Sequence, residues 1–253
     1  MPARLQPRRK VRIQVIARAA SILRALKHYP KGLSFGEIAQ RVSLSRSTVQ
    51  RIIESLVEEG LVIAASPTSG FRLGPALIDL AQAVQLELAE FARPVLEQIA
   101  KDTGETADLA VLLHDHIMCV DQIQGTHYLG VSGAGLIFSL HGSAAGKAVL
   151  AALSDQQIKK LRERMPLTRM TKNTIVSWTQ LQGEIDAIRH SGVACDQEET
   201  LEGICGVGVA FKGPAGELAA ISIPVPSQRF MSQKDDLVRT ILRHSAKLQS
   251  PGA

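Results

Sequence analysis

The sequence predicts an α+β protein of two unequal parts. A small N-terminal unit of the winged helix-turn-helix kind is joined by a linker helix to a larger C-terminal unit with a mainly antiparallel sheet. Three observations carry this expectation. Apolar residues recur every three or four positions through residue 56, and beyond Gly104 the period shortens toward that of strands, with helical stretches between them. Helix-capping residues fall where the helical stretches begin. The charge is also split. Residues 1–75 hold 13 of the 29 Lys and Arg but only 4 of the 24 Asp and Glu, a net +9, which leaves −4 on the remainder.

Val15, Ile16, Ala19, Ile22, Leu23 and Leu26 fall on one helical face. Tyr29-Pro30-Lys31-Gly32 ends that helix. Ser34 with Glu37 forms a capping box for the next, which holds Ile38, Ala39 and Val42. Ser43-Leu44-Ser45 is a short break, and Ser45 caps a helix from Arg46 to Leu56. Gly60 stops that helix. Residues 61–65 and 71–73, joined by 66–70, then make a two-stranded wing.

From Leu77, the positions Leu80, Val84, Leu88 and Phe91 mark one amphipathic linker helix ending near Arg93-Pro94, and Val95, Leu96 and Ile99 form a second helix to Thr103-Gly104. Strands are expected at 107–113, 117–123, 129–132, 193–196, 204–211 and 218–225. Helices are expected at 144–153, 155–164, 177–190 and 234–248. The expected domains are a basic tail (1–12), the winged unit (13–75), the linker helix (76–92) and the C-terminal domain (93–250).

The helix starting at Arg46 has the chemistry of a DNA-recognition helix. Val49, Ile52, Ile53 and Leu56 lie on one side; Arg46, Ser47, Gln50 and Arg51 point elsewhere. Such a helix must bury one face on its own domain and offer hydrogen-bonding side chains to base edges and phosphates. Arg pairs bidentately with guanine and Gln with adenine. Ser34, Ser45, Ser47 and Thr48 suit phosphate contacts, and Arg72 on the wing is placed to touch phosphate or the minor groove. The basic N-terminal third fits a double-stranded DNA partner. The alternatives are a helix-turn-helix used only for assembly and a solvated basic tail, since Arg4, Arg8, Arg9, Lys10 and Arg12 supply five of the charges.

Other classes find less support. No apolar run is long enough to span a bilayer, no h-region follows the basic N-terminus, and Cys119, Cys195 and Cys205 are too scattered for a disulfide framework. A cytoplasmic protein without membrane partners follows by elimination. The stretch from Gly142 to Ala148 lacks the spacing and the Ser or Thr of a P-loop. Ser143, His141 and Asp196 lack a nucleophile elbow. His114-Asp115-His116 sits at a hairpin turn, where solvated side chains are commoner than a metal site. The expectation is a protein that is not an enzyme and needs no cofactor.

Several segments together resemble the IclR family of bacterial transcriptional regulators, over essentially the whole chain after the tail. In the first part they are Ile22-Leu23-Arg24-Ala25-Leu26, Glu37-Ile38-Ala39, Ser47-Thr48-Val49-Gln50-Arg51 and Phe71-Arg72-Leu73-Gly74. In the second they are the stretch from Leu140 to Ala148, Thr171 with Thr174, and Gly192-Val193-Ala194 leading into Asp196-Gln197-Glu198-Glu199. The resemblance implies a GAF-like effector-binding domain. It also implies homodimers or homotetramers that bind operators and respond to small metabolites, often organic or aromatic acids. By matching motif, the implied effector pocket comprises Ala144 and Ala145, Asp196 with Cys205 and Gly206, and Ser222. The chain departs from the family at Pro224, where a second Ser is common, and at Gly206, near a frequent pocket Cys.

The residues before Lys147 also bear on that pocket directly. Small side chains allow close backbone approach, and a helix start there presents N–H groups suited to a carboxylate. Close helix–sheet packing would call for the same small residues. Asp196 is expected to accept a ligand hydroxyl or to orient its loop.

Overall fold

The computed structural model describes residues 13–65, 70–127, 130–133 and 135–249, apart from the side chains of residues 82–86. The basic tail, the wing tip at 66–69, the Val84 side chain and Leu129 lie outside the described residues. The chain divides into two compact units between Val84 and Gln85.

The first unit contains α1 (Gln14–Leu26), α2 (Phe35–Val42), α3 (Arg46–Glu58), β1 (Val62–Ala64) and β2 (Phe71–Leu73). The capping box forms as expected: Ser34 Oγ accepts from Glu37 N, and Glu37 Oε2 accepts from Ser34 N at 2.8 Å. Ser45 Oγ accepts from Thr48 N and so starts α3. The turn between α2 and α3 passes through Ser43, in the left-handed region at φ 53°. Ile22, Leu26, Ile38, Val49, Ile53 and Val62 form the centre of the core. Val15 and Ile16 do not join it; they are 55% and 64% exposed, so the packed stripe of α1 begins at Ala19. The hairpin β1–β2 pairs antiparallel, and Leu33 bridges to Phe71 as a further rung. Gly74 follows directly, where a Cβ would lie 2.1 Å from the Gly60 carbonyl oxygen. Only glycine admits that approach.

A single helix, α4 (Ala76–Thr103), runs through Pro94. The expected break does not occur. Proline costs a helix interior about 3 kcal/mol, but Leu88, Ala92, Val95, Leu96 and Ile99, on both sides of it, are buried in one core. At roughly 1.5–3 kcal/mol per buried large aliphatic side chain, packing outweighs the proline.

The second unit carries a six-stranded sheet in the order β5-β4-β3-β8-β7-β6, every neighbouring pair antiparallel. Its strands are β3 (Ala107–Leu113), β4 (His116–Ile123), β5 (Ile137–Ser139), β6 (Ala194–Gln197), β7 (Ile204–Lys212) and β8 (Leu218–Pro226). The helices are α5 (Ala144–Ala152), α6 (Asp155–Arg162), α7 (Trp178–Ser191) and α8 (Ser227–Gln249). Successive residues of a strand face opposite ways. Thus Leu109 and Ile221 pack with the later part of α4 and with α8, while Ala110 and Ala220 pack with α5 and α7. Both faces are covered.

Two elements differ from expectation. Residues 130–132 are not a strand. The edge strand is β5, whose Phe138 pairs with Ile117. The pattern at 129–132 carried alternating apolar residues, but Ser132 Oγ is held by Gln122 Oε1 at 3.0 Å, outside any ladder. Helix α8 starts at Ser227, seven residues earlier than expected, because Phe230 is fully buried on the same stripe as Leu237 and Ile241.

Candidate functional site

In the first unit α3 divides as its sequence required. Val49, Ile52, Ile53 and Leu56 are buried, whereas Arg46, Ser47, Gln50 and Arg51 are exposed. Ser34, Ser45 and Arg72 are exposed as well, and Thr48 is half-buried. Some of these groups already have partners. Gln50 Nε2 donates to Glu54 Oε1 at 2.8 Å, and Ser45 Oγ lies 2.8 Å from Thr48 Oγ1. The Ser34 hydroxyl donates to Glu37 Oε2, and these Ser34 contacts hold the Glu37 carboxyl below its ordinary range. Arg46 and Arg51 form no ion pair among the described residues, and the first turn of α3 has no acidic residue. α3 therefore offers two free guanidinium groups, that of Arg46 in the first turn, whose dipole end attracts anions, and that of Arg51 in the second.

In the second unit a largely apolar cavity opens on the α5 face of the sheet. It holds about 730 Å³ of space free of protein atoms, its open mouth included. All six residues expected of an effector pocket line it: Ala144, Ala145, Asp196, Cys205, Gly206 and Ser222. The register explains why. Ser222 of β8 stands opposite Asp108 of β3 on one side and Gly208 of β7 on the other. A Cβ at Gly208 would lie 2.7 Å from the Ala144 carbonyl carbon, so the first turn of α5 rests directly on β7. A Cβ at Gly146 would likewise lie 2.6 Å from both Leu140 Cα and the Ser139 carbonyl oxygen. The small residues thus serve both purposes: the glycines seat the helix, and Ala144 and Ala145 face the cavity.

Asp196 orients its loop, accepting from Glu199 N at 2.7 Å; burial raises its carboxyl, with that hydrogen bond and Lys147 pulling the other way. Beyond it, Thr171 Oγ1 donates to Glu198 O and Thr174 Oγ1 to Glu199 O, each at 2.6 Å. Lys147 is fully buried, with Nζ 2.5 Å from Glu199 Oε1 and 3.4 Å from Glu184 Oε2. His141 Nε2 donates to Thr168 O at 3.0 Å, and burial lowers its pKa. Thr171, Thr174 and Lys147, prominent in the sequence motifs, fasten the 196–200 loop that forms one cavity wall.

Burial pushes the Cys119 thiol up to about 12 and the Cys205 thiol to about 11. Both line the cavity as neutral thiols at physiological pH. At the β3–β4 turn, His116 Nδ1 lies 2.8 Å from Asp115 Oδ1; no group of three His, Cys, Asp or Glu side chains gathers among the described residues. Among those residues no helix is long and apolar enough to cross a membrane.

Sequence reasoning missed Asp108, Cys119, Phe138 and Leu201, all on the cavity wall. Asp108 was the detectable one, since it is the only charged residue in the apolar run 107–113.

Both units match family models: residues 15–63 match the IclR helix-turn-helix domain, and residues 80–250 match the bacterial transcriptional regulator IclR C-terminal domain. The chain belongs to the IclR family of bacterial transcriptional regulators. It is 41% identical to the HTH-type transcriptional regulator Rv1719 of Mycobacterium tuberculosis over 99% of this chain and 96% of that one. It is 39% identical to the HTH-type transcriptional regulator TtgV of Pseudomonas putida over 94% and 91%. Among solved structures, an IclR homolog of Microbacterium hydrocarbonoxydans complexed with 4-hydroxybenzoate superposes with a TM-score of 0.70 at 21% identity, covering 92% of this chain and 98% of that one. That likeness concerns the fold. This IclR-family regulator therefore has a DNA-binding helix-turn-helix and an effector-binding domain, and the family is one of transcriptional regulators rather than enzymes.

Proposed function

We propose that this IclR-family regulator binds a double-stranded DNA operator through α3 and the β1–β2 hairpin, as a cytoplasmic homodimer or homotetramer without catalytic activity. The observation that carries this is the two-sided α3, with its apolar face in the core and Arg46, Ser47, Gln50 and Arg51 turned to solvent. Paired recognition helices of a symmetric oligomer would enter successive major grooves of a roughly palindromic site. Residues 13–75 then form the DNA-binding domain, 76–92 the linker helix and 93–250 the effector-binding domain.

The effector is a small organic molecule held in the cavity beside Ala144, Ala145, Asp196, Cys205, Gly206 and Ser222. An organic or aromatic acid fits one end of it, because the first turn of α5 lies on its wall. The homolog complexed with 4-hydroxybenzoate lends that class support. Occupancy changes how the effector domains pack, and α4 passes the change to the DNA-binding pair.

An Ala145→Phe substitution separates the two halves of this function. It fills the cavity and should abolish the effect of any ligand on operator binding, while operator affinity itself stays within about threefold, since the proposed operator contacts all belong to the other compact unit. Gel-shift titrations with and without ligand measure both. An unchanged ligand response would place the effector elsewhere.

A further inference from the structure

Among the described residues, Asp108 and Thr200 are the cavity-wall residues with a buried side-chain oxygen that has no hydrogen-bond partner, and Asp108 is the ionisable one. It belongs to β3, a strand covered on both faces, and is only 5% exposed. Its Oδ1 is buried and has no hydrogen-bond partner among the described residues. Buried carboxylate oxygens are ordinarily satisfied, and an unsatisfied one on a cavity wall marks where a ligand atom completes the site. Much of the remaining wall is apolar and includes Leu136, Phe138 and Leu201. No Lys, Arg or His is among the described lining residues, and Lys147, the nearby buried cation, is committed to Glu199.

We propose that Asp108 selects the effector by accepting a hydrogen bond from a hydroxyl group, so that the ligand carries a hydroxyl at the Asp108 end of a ring-sized apolar frame. This deepens the effector-cavity reading and rests on it. A ligand carboxylate at this end would face a like charge with no cation to offset it. An ammonium would be served by the ionised form alone, as a carboxylate would be repelled by it, and burial pushes the Asp108 carboxyl up to about 7, where both forms are present. A hydroxyl suits either state of Asp108. It donates to the carboxylate, and it both donates to and accepts from the neutral acid. Asp196 does not compete for it in the same way, because its Oδ1 already accepts from Glu199 N.

Isothermal titration calorimetry at pH 7.5 with four probes of one shape tests this: toluene, 4-methylphenol, 4-methylbenzoate and 4-methylbenzylammonium. The wild-type protein should bind 4-methylphenol about tenfold or more tightly than toluene, as a hydrogen bond to a charged group implies. In Asp108→Ala that preference should fall below twofold with toluene binding retained. Asp108→Val, which keeps side-chain bulk in the strand, should behave alike and guards against a folding defect in the first variant. A phenol preference that is absent in wild type, or that survives both substitutions, overturns the assignment while leaving the cavity as the effector site. Tightest binding by the ammonium probe also overturns it. Failure of all four probes to bind overturns the effector-cavity reading together with the proposal.

Discussion

Lys147→Met should destabilise the protein by about 3–5 kcal/mol at pH 8, the usual cost of removing one partner from a buried ion pair. Lys147 is fully buried with Nζ 2.5 Å from Glu199 Oε1, while the other oxygen of Glu199 already has no hydrogen-bond partner. Methionine keeps the volume and removes the charge, so the effect reports electrostatics rather than a void. The loss should shrink as the pH falls. Burial already raises the Glu199 carboxyl above its ordinary 4.5, with Lys147 as the main force opposing it. Without Lys147 the folded group rises further, so the folded variant holds a proton that the unfolded chain releases. Its stability is then greatest below about pH 4.5 and declines as the pH rises from there. Urea denaturation at pH 8 and pH 5 measures both effects. Adding Glu199→Leu to Lys147→Met should recover most of the loss at pH 8, because neither charge of the pair then remains buried. An equal loss at both pH values would contradict the electrostatic origin.

The paired substitution Arg46→Ala and Arg51→Ala should weaken operator binding at least about 100-fold without altering the fold. Each guanidinium is worth roughly 1–3 kcal/mol if it reads a base or holds a phosphate, and a symmetric oligomer incurs the loss twice. Both side chains are exposed and free of ion pairs among the described residues, so the cost to stability should stay within about 0.5 kcal/mol. The salt dependence of binding should flatten as well, by about one unit of log–log slope for each phosphate no longer neutralised. Fluorescence anisotropy across a salt series, beside a thermal melt, distinguishes this from unfolding. Unchanged affinity would move DNA recognition away from α3.

What could be read in the sequence was local. Ser34 with Glu37 and Ser45 marked two helix starts, because capping involves residues only three apart. The recognition helix was legible for the same reason: one 13-residue segment displays both of its faces. What escaped depends on partners distant in sequence. Pro94 predicted a break, yet the packing of Leu88, Ala92, Leu96 and Ile99 holds one helix through it. The edge strand β5 is three residues long and is defined only by its pairing with β4. The pocket residues transferred by motif do line one cavity, but Asp108 joins them through the antiparallel register that sets it opposite Ser222. The Lys147–Glu199 pair spans 52 residues, and nothing in either segment alone announces it.

Central to the proposed function is that operator binding by the first unit responds to a ligand in the cavity of the second. Binding of the purified protein to the DNA flanking its own gene tests it most directly, at two salt concentrations, with and without a panel of small hydroxylated aromatics and organic acids. The expected result is specific binding that weakens as salt rises and changes at least about tenfold with one member of the panel, a coupling within the ordinary range between two sites. Binding no stronger than to random DNA at either salt concentration, or specific binding that no cavity ligand alters, would contradict it.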